Sequence, residues 1–228
     1  MRDFQFVLKI ILLCATTLCC TPATGQSPME LAQKNVYRQK WQRAYELLNK
    51  ALAKDSLNVT AKYVLAQYFF SKENPAYDLD SAYLHVLGAL RDFQHASPKQ
   101  RERLKRFPLD SLLLVNLHKQ VDTAAFGRAK VIDTEKGWID FLNYFVFSSF
   151  RDEATTKRDS IAFELASKEN TYQGFQIFLQ KYPAAKASEQ AKQNYERLLF
   201  AAKTSDQTLT SYESFLAEYP TTHYRRQV

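Results

Sequence analysis

Four histidines, His85, His95, His118 and His223, are the side chains best suited to moving protons near neutral pH or to holding a metal. They stand apart, with no His-x-x-x-His pair and no HExxH, so the spacing of a zinc site is missing. His118 and Asp122 are i, i+4 on one predicted helix, where a carboxylate can orient an imidazole; a surface hydrogen bond is the simpler reading. Glu73, Asn74, Asp78 and Asp80 make an oxygen-rich stretch. A calcium loop also needs a glycine at its sixth position and a distal glutamate, and this stretch has neither. Asp80 reads instead as the cap of a helix beginning near Ser81. No Gly-x-Ser-x-Gly is present. Asn58-Val59-Thr60 is a glycosylation sequon that matters only in a eukaryotic secretory host. These residues build no catalytic constellation, and the expectation is a protein that is not an enzyme and uses no cofactor or metal.

The elements behind them are helical. Five isolated glycines in 228 residues, Gly25, Gly88, Gly127, Gly137 and Gly174, exclude the P-loop and the Rossmann fingerprint. With 46% hydrophobic and 24% charged residues the chain is an ordinary globular one, rich in Ala, Leu, Lys, Gln and Glu, which favours an all-α fold. The net charge is +7, and its basic residues are dispersed apart from Lys99, Arg101, Arg103, Lys105 and Arg106. That run includes Glu102 and reads as a solvated helix face.

Residues 1–25 have the layout of a secretory signal peptide: Arg2 and Lys9, an apolar run from Ile10 to Cys20, then Ala23 and Gly25 at the small −3 and −1 positions. Cleavage is expected between Gly25 and Gln26. The run is shorter than the ~20 residues that span a bilayer. Cys14, Cys19 and Cys20 all lie in this segment, so the mature chain would carry no thiol. Cys19 or Cys20 as a lipid anchor is the alternative, on a poor match to the lipoprotein pattern. An exported chain does not meet chromosomal DNA. No nucleic-acid partner is expected, and the basic charge serves solubility or anionic envelope surfaces.

A period of 37 residues organises the C-terminal half. Asp122–Ala154 laid over Asp159–Ala191 gives nine identities without a gap, among them Phe126/Phe163, Thr134/Thr171, Gly137/Gly174 and Phe141/Phe178. A further 37 residues on, Phe200, Thr208, Phe215, Leu216, Tyr219, Pro220 and Gln227 continue the register. Each copy predicts a short helix, capped in the middle copy by Asn170 or Thr171, with an aromatic stripe such as Phe175, Phe178, Leu179 and Tyr182. A longer alanine-rich helix follows, from about Lys186 to Lys203. Ser97-Pro98, Phe107-Pro108 and Leu109–Ile132 form a degenerate earlier copy.

Upstream, Ala44, Leu48, Ala51 and Ser56, then Leu65, Ala66 and Phe69, then Ala82, Val86 and Ala89, follow a related pattern. This pattern resembles the tetratricopeptide repeat, although Ser56 stands where the turn proline belongs and the Trp-x-x-Leu-Gly opening is not intact. The Phe215-Leu216-Ala217-Glu218-Tyr219-Pro220 turn resembles that of exported envelope proteins of Gram-negative bacteria. Among these are the repeat regions of outer-membrane assembly lipoproteins and of WG-repeat or OmpA-like proteins. The resemblance implies an all-α, TPR-like solenoid of five to six helix pairs that binds proteins or peptides. The expected organisation is a signal peptide over 1–25, tetratricopeptide-like helix pairs over 26–96 and 37-residue repeats over 97–228.

The last copy holds only about six residues of its long helix, so Tyr212, Phe215, Leu216 and Tyr219 are expected to lack cover. The functional expectation is an exported, periplasmic or outer-membrane-associated scaffold that grips an unknown protein or peptide partner. The alternative is the targeting arm of a longer enzyme or wall-binding protein. The candidate groove is formed by the positions that vary between copies while the aromatic stripe persists. These are Glu135, Tyr172 and Leu209; Lys136, Gln173 and Thr210; and Ile139, Gln176 and Glu213.

Overall fold

Most of the helices begin where the chain supplies a side-chain acceptor for the unpaired N–H groups of a first turn. The computed structural model describes residues 27–226; the expected cleavage site at Gly25 and Gln26, the three cysteines and Gln227 lie outside them. Among the described residues there are eleven α-helices, a 3-10 turn and no strand, so the protein is all-α. Ser27 with Glu30 forms a capping box for α1 (Pro28–Tyr37), and Ser97 with Gln100 does so for α5 (Pro98–Arg106). α2 (Trp41–Lys54) starts without a side-chain cap. Asn58, the sequon asparagine, caps α3 (Val59–Phe70) by accepting from the N–H of Ala61 at 3.0 Å. α4 (Leu79–Gln94) is capped by Asp78, which accepts from Asp80 and Ser81, and not by Asp80. Asp78 is the residue with extended φ/ψ, so its carboxylate faces the first-turn N–H groups. Asp110 caps α6 (Ser111–Ile132).

Packing follows chain order with one detour. α1 rests on α2 and α3, α3 on α4, and α4 on α6, so that α5 is bypassed and buries only Leu104. Ala44, Leu48, Leu65, Ala66, Ala82, Val86 and Ala89 are all 0–1% exposed, so small residues let these helices approach closely. Lys62 on α3 pairs with Asp92 on α4, both side chains nearly buried. The lysine stem crosses Gly88, where a Cβ would sit 3.3 Å from Lys62 Cδ. Beyond α6 the sequence runs α7 (Glu135–Tyr144), α8 (Arg151–Glu169), α9 (Tyr172–Lys181), α10 (Ser188–Lys203) and α11 (Leu209–Glu218), each packed on the next. The main apolar cluster extends from Ala32 to Ala154, across the change of sequence pattern at 96/97, and a second runs from Ala162 to Ala191.

The aromatic stripe of α11 is better covered than its sequence implies. Phe215 is 2% exposed, 5.2 Å from the ring of Phe200, and Tyr224 from the 3-10 turn stacks on Phe200 at 4.5 Å. Tyr212, Leu216 and Tyr219 are half-buried. No helix among the described residues is long and apolar enough to cross a membrane.

Candidate partner-binding surface

Three short helices, α7, α9 and α11, have ten residues each and start 37 residues apart. Each is entered the same way. A residue of positive φ reverses the chain: Asp133 at 42°, Asn170 at 50° and Gln207 at 55°. A threonine then caps the helix: Thr134 accepts from Gly137, Thr171 from Gly174 and Thr208 from Ser211, at 3.0, 3.0 and 3.2 Å.

The buried side of each is held by one aromatic of the preceding helix. Phe126 meets Trp138 and Phe141 at 5.5 and 5.6 Å, Phe163 meets Phe175 and Phe178 at 6.1 and 5.5 Å, and Phe200 meets Tyr212 and Phe215 at 6.1 and 5.2 Å. Such edge and tilted contacts fix each short helix in rotation about its axis. They thereby decide which positions face outward.

The candidate groove residues divide into two groups. Lys136, Gln173, Gln176, Leu209, Thr210 and Glu213 are exposed, Leu209 by 71%. Lys136 is within 2.6 Å of Asp140 one turn on. Ile139 and Tyr172 are half-buried, Tyr172 standing 6.5 Å from the ring of Tyr195. Glu135 is engaged within the fold: it accepts the Tyr182 hydroxyl at 2.5 Å and lies 3.6 Å from Lys181. Burial and the Glu135 bond push the Tyr182 hydroxyl up to about 12. A hollow beside this tie is lined by Leu165 and Ile177, both about half-exposed. The exposed positions therefore offer amides, a hydroxyl, an ion-paired ammonium, a free carboxylate and apolar side chains.

His118 does not make the surface hydrogen bond to Asp122 that its spacing suggests. Asp122 is 2% exposed and spends Oδ2 on the N–H and hydroxyl of Ser149, at 3.0 Å each, so it organises the turn before α8. His118 packs on Tyr83 at 5.3 Å, its Nε2 is buried without a partner, and burial lowers its pKa. His85 stacks on Phe69, His95 bonds the carbonyl of Arg91, and His223 bonds Glu196. Asn74 is consumed by its own turn, donating to Tyr68 and accepting from Ala76, as Asp78 is by α4. Among the described residues no three His, Asp or Glu side chains are grouped to hold a metal.

Two structural residues escaped sequence reasoning. Arg158 lies over the Tyr182 ring at 4.5 Å, and Phe150 stacks on Phe126 at 4.4 Å. Phe150 and Tyr224 are 74 residues apart, twice the spacing of the short-helix starts, and each stacks on the clamping phenylalanine; the intervening position is Ala187. Compared with family models, curated proteins and solved structures, the chain matches none.

Proposed function

We propose that the protein is a non-enzymatic scaffold, exported to the bacterial cell envelope, that holds a protein or peptide partner on the exposed faces of α7, α9 and α11. In this reading the chain is a TPR-like solenoid whose C-terminal half repeats every 37 residues, with its specificity in Lys136, Gln173, Gln176, Leu209, Thr210 and Glu213. One observation carries it: the positive-φ residue, the threonine cap and the aromatic clamp recur at one spacing while the outward side chains differ. A constant frame presenting variable positions is how repeat arrays read a partner. The export half of the reading comes from the signal-like first 25 residues.

Alanine at Gln173, Gln176, Thr210 and Glu213 together is expected to weaken a verified partner at least about tenfold. Alanine at exposed long-helix positions such as Glu164 and Lys192 is expected to change affinity little. The reverse pattern overturns the assignment. Export is read from the intact mass of the protein taken from its own envelope, which should begin at Gln26.

A further inference from the structure

We propose that a cleft at the other end of the molecule, between α2, the start of α3 and α5, binds an acidic, partly apolar peptide segment of a partner protein. Two hollows meet there, one of ≈ 680 Å³, and share Met29, Asp55, Asn58 and Arg103. One rim carries Lys50 and Lys54 from α2, the other Arg103 and Arg106 from α5. All four side chains are exposed and none forms an ion pair among the described residues. The basic run of α5 thus divides. Lys105 pairs with Glu102 and Arg101 donates to the carbonyl of Ala96, while Arg103 and Arg106, one turn apart, are left for the cleft. Asp55 is the one carboxylate in the lining among the described residues, and its Oδ1 already accepts from the N–H of Leu57 at 3.1 Å. Four cations against one occupied carboxylate select an anionic occupant.

The floor selects which anion. Met29, Leu47, Leu104 and Phe107 line it, so the occupant must bring apolar side chains between its charges. Nucleic acid would need an exposed aromatic platform for base stacking, and the cleft's only aromatic among the described residues, Phe107, is 6% exposed. A bilayer surface cannot follow a concave wall flanked by two rims. An extended peptide with an apolar side chain after each pair of acidic ones meets both requirements, its carboxylates on the rims and its apolar groups on the floor. This cleft is separate from the short-helix surface, so either can fail without the other.

The test is fluorescence anisotropy of a fluorescein-labelled twelve-residue peptide, four repeats of Glu-Asp-Leu, with the intact protein. We expect saturable binding that weakens with salt. It should fall about tenfold in Arg103→Glu/Arg106→Glu and again in Lys50→Glu/Lys54→Glu, and should stay within about twofold in the equally recharged Lys168→Glu/Lys192→Glu. Replacing the peptide's leucines by serine should also weaken it. Circular dichroism checks that each variant keeps its helices; the α2 pair carries the test if the α5 pair does not. Absence of binding, equal losses in all three charge variants, or tighter binding of oligothymidylate or phosphatidylglycerol vesicles than of the peptide would overturn the proposal.

Discussion

The hydroxyl of Tyr182, at the end of α9, donates to the carboxylate of Glu135, at the start of α7, 47 residues earlier in the chain. One short helix is thereby tied to the next across the long helix between them. Glu135→Ala and Tyr182→Phe should each cost about 1–2 kcal/mol in urea unfolding. The double variant should cost clearly less than their sum, and simple additivity would contradict the tie. The same bond gives an alkaline signature. The tyrosine rises from 10.0 to about 12 on folding, through burial first and the glutamate second. Its stabilisation is therefore full below about pH 10 and is lost as pH rises through about 12. Tyr182→Phe should flatten that decline.

Ala187 marks an empty seat. Phe150 and Tyr224 stack on Phe126 and Phe200, but at the intermediate position alanine supplies no such stacked ring to Phe163. Ala187→Phe should supply one and raise stability by about 0.5–1.5 kcal/mol, read from the urea midpoint. Destabilisation would mean that the three helix pairs do not share one packing plan.

The positive-φ residues are separable by what else they do. Among the described residues Gln207 makes no side-chain bond to offset its conformation, so Gln207→Gly should stabilise by about 0.5–1 kcal/mol. Asp133 accepts from the indole N–H of Trp138 at 3.0 Å, so Asp133→Gly forfeits that bond and should gain nothing. Thermal unfolding of the two variants checks the contrast.

Much of the helical plan was legible because its signals are local. Thr171 as a cap and proline after Ser97 act within one turn, and the α10 stripe misses its structural start, Ser188, by two residues. What the sequence hides is long-range. Nothing near Asp122 announces that Ser149 will bury it, and the detour of α5, which seats α4 directly on α6, has no periodic trace. For the candidate surface, variation between copies singled out exposed positions such as Gln173 and Glu213. It could not tell them from Glu135, whose partner is 47 residues away. Asp78 and Asp80 are both acceptable caps by residue type, and only backbone dihedrals choose between them.

Two half-buried histidines set an acid limit. Burial lowers the pKa of His85 and His118 from 6.5, helped at His85 by Lys62 and opposed at His118 by Asp122. Their folded values lie below the unfolded ones, so stability is full above about pH 6.5 and falls as pH drops through the folded values. The unfolding midpoint should therefore decline as pH falls below about 6.5. In His85→Gln and His118→Gln the slope of that decline should be shallower, whatever their absolute stability.

The central claim, that the outward faces of the short helices hold a partner, is tested most directly by photo-crosslinking in the native cell. A benzophenone side chain would replace Gln176 or Glu213 on the short helices, and Glu164 or Lys192 on the long ones. The account predicts one discrete adduct from Gln176 and Glu213 and none from Glu164 and Lys192. Adducts confined to the long-helix sites, or none from any site, would contradict it.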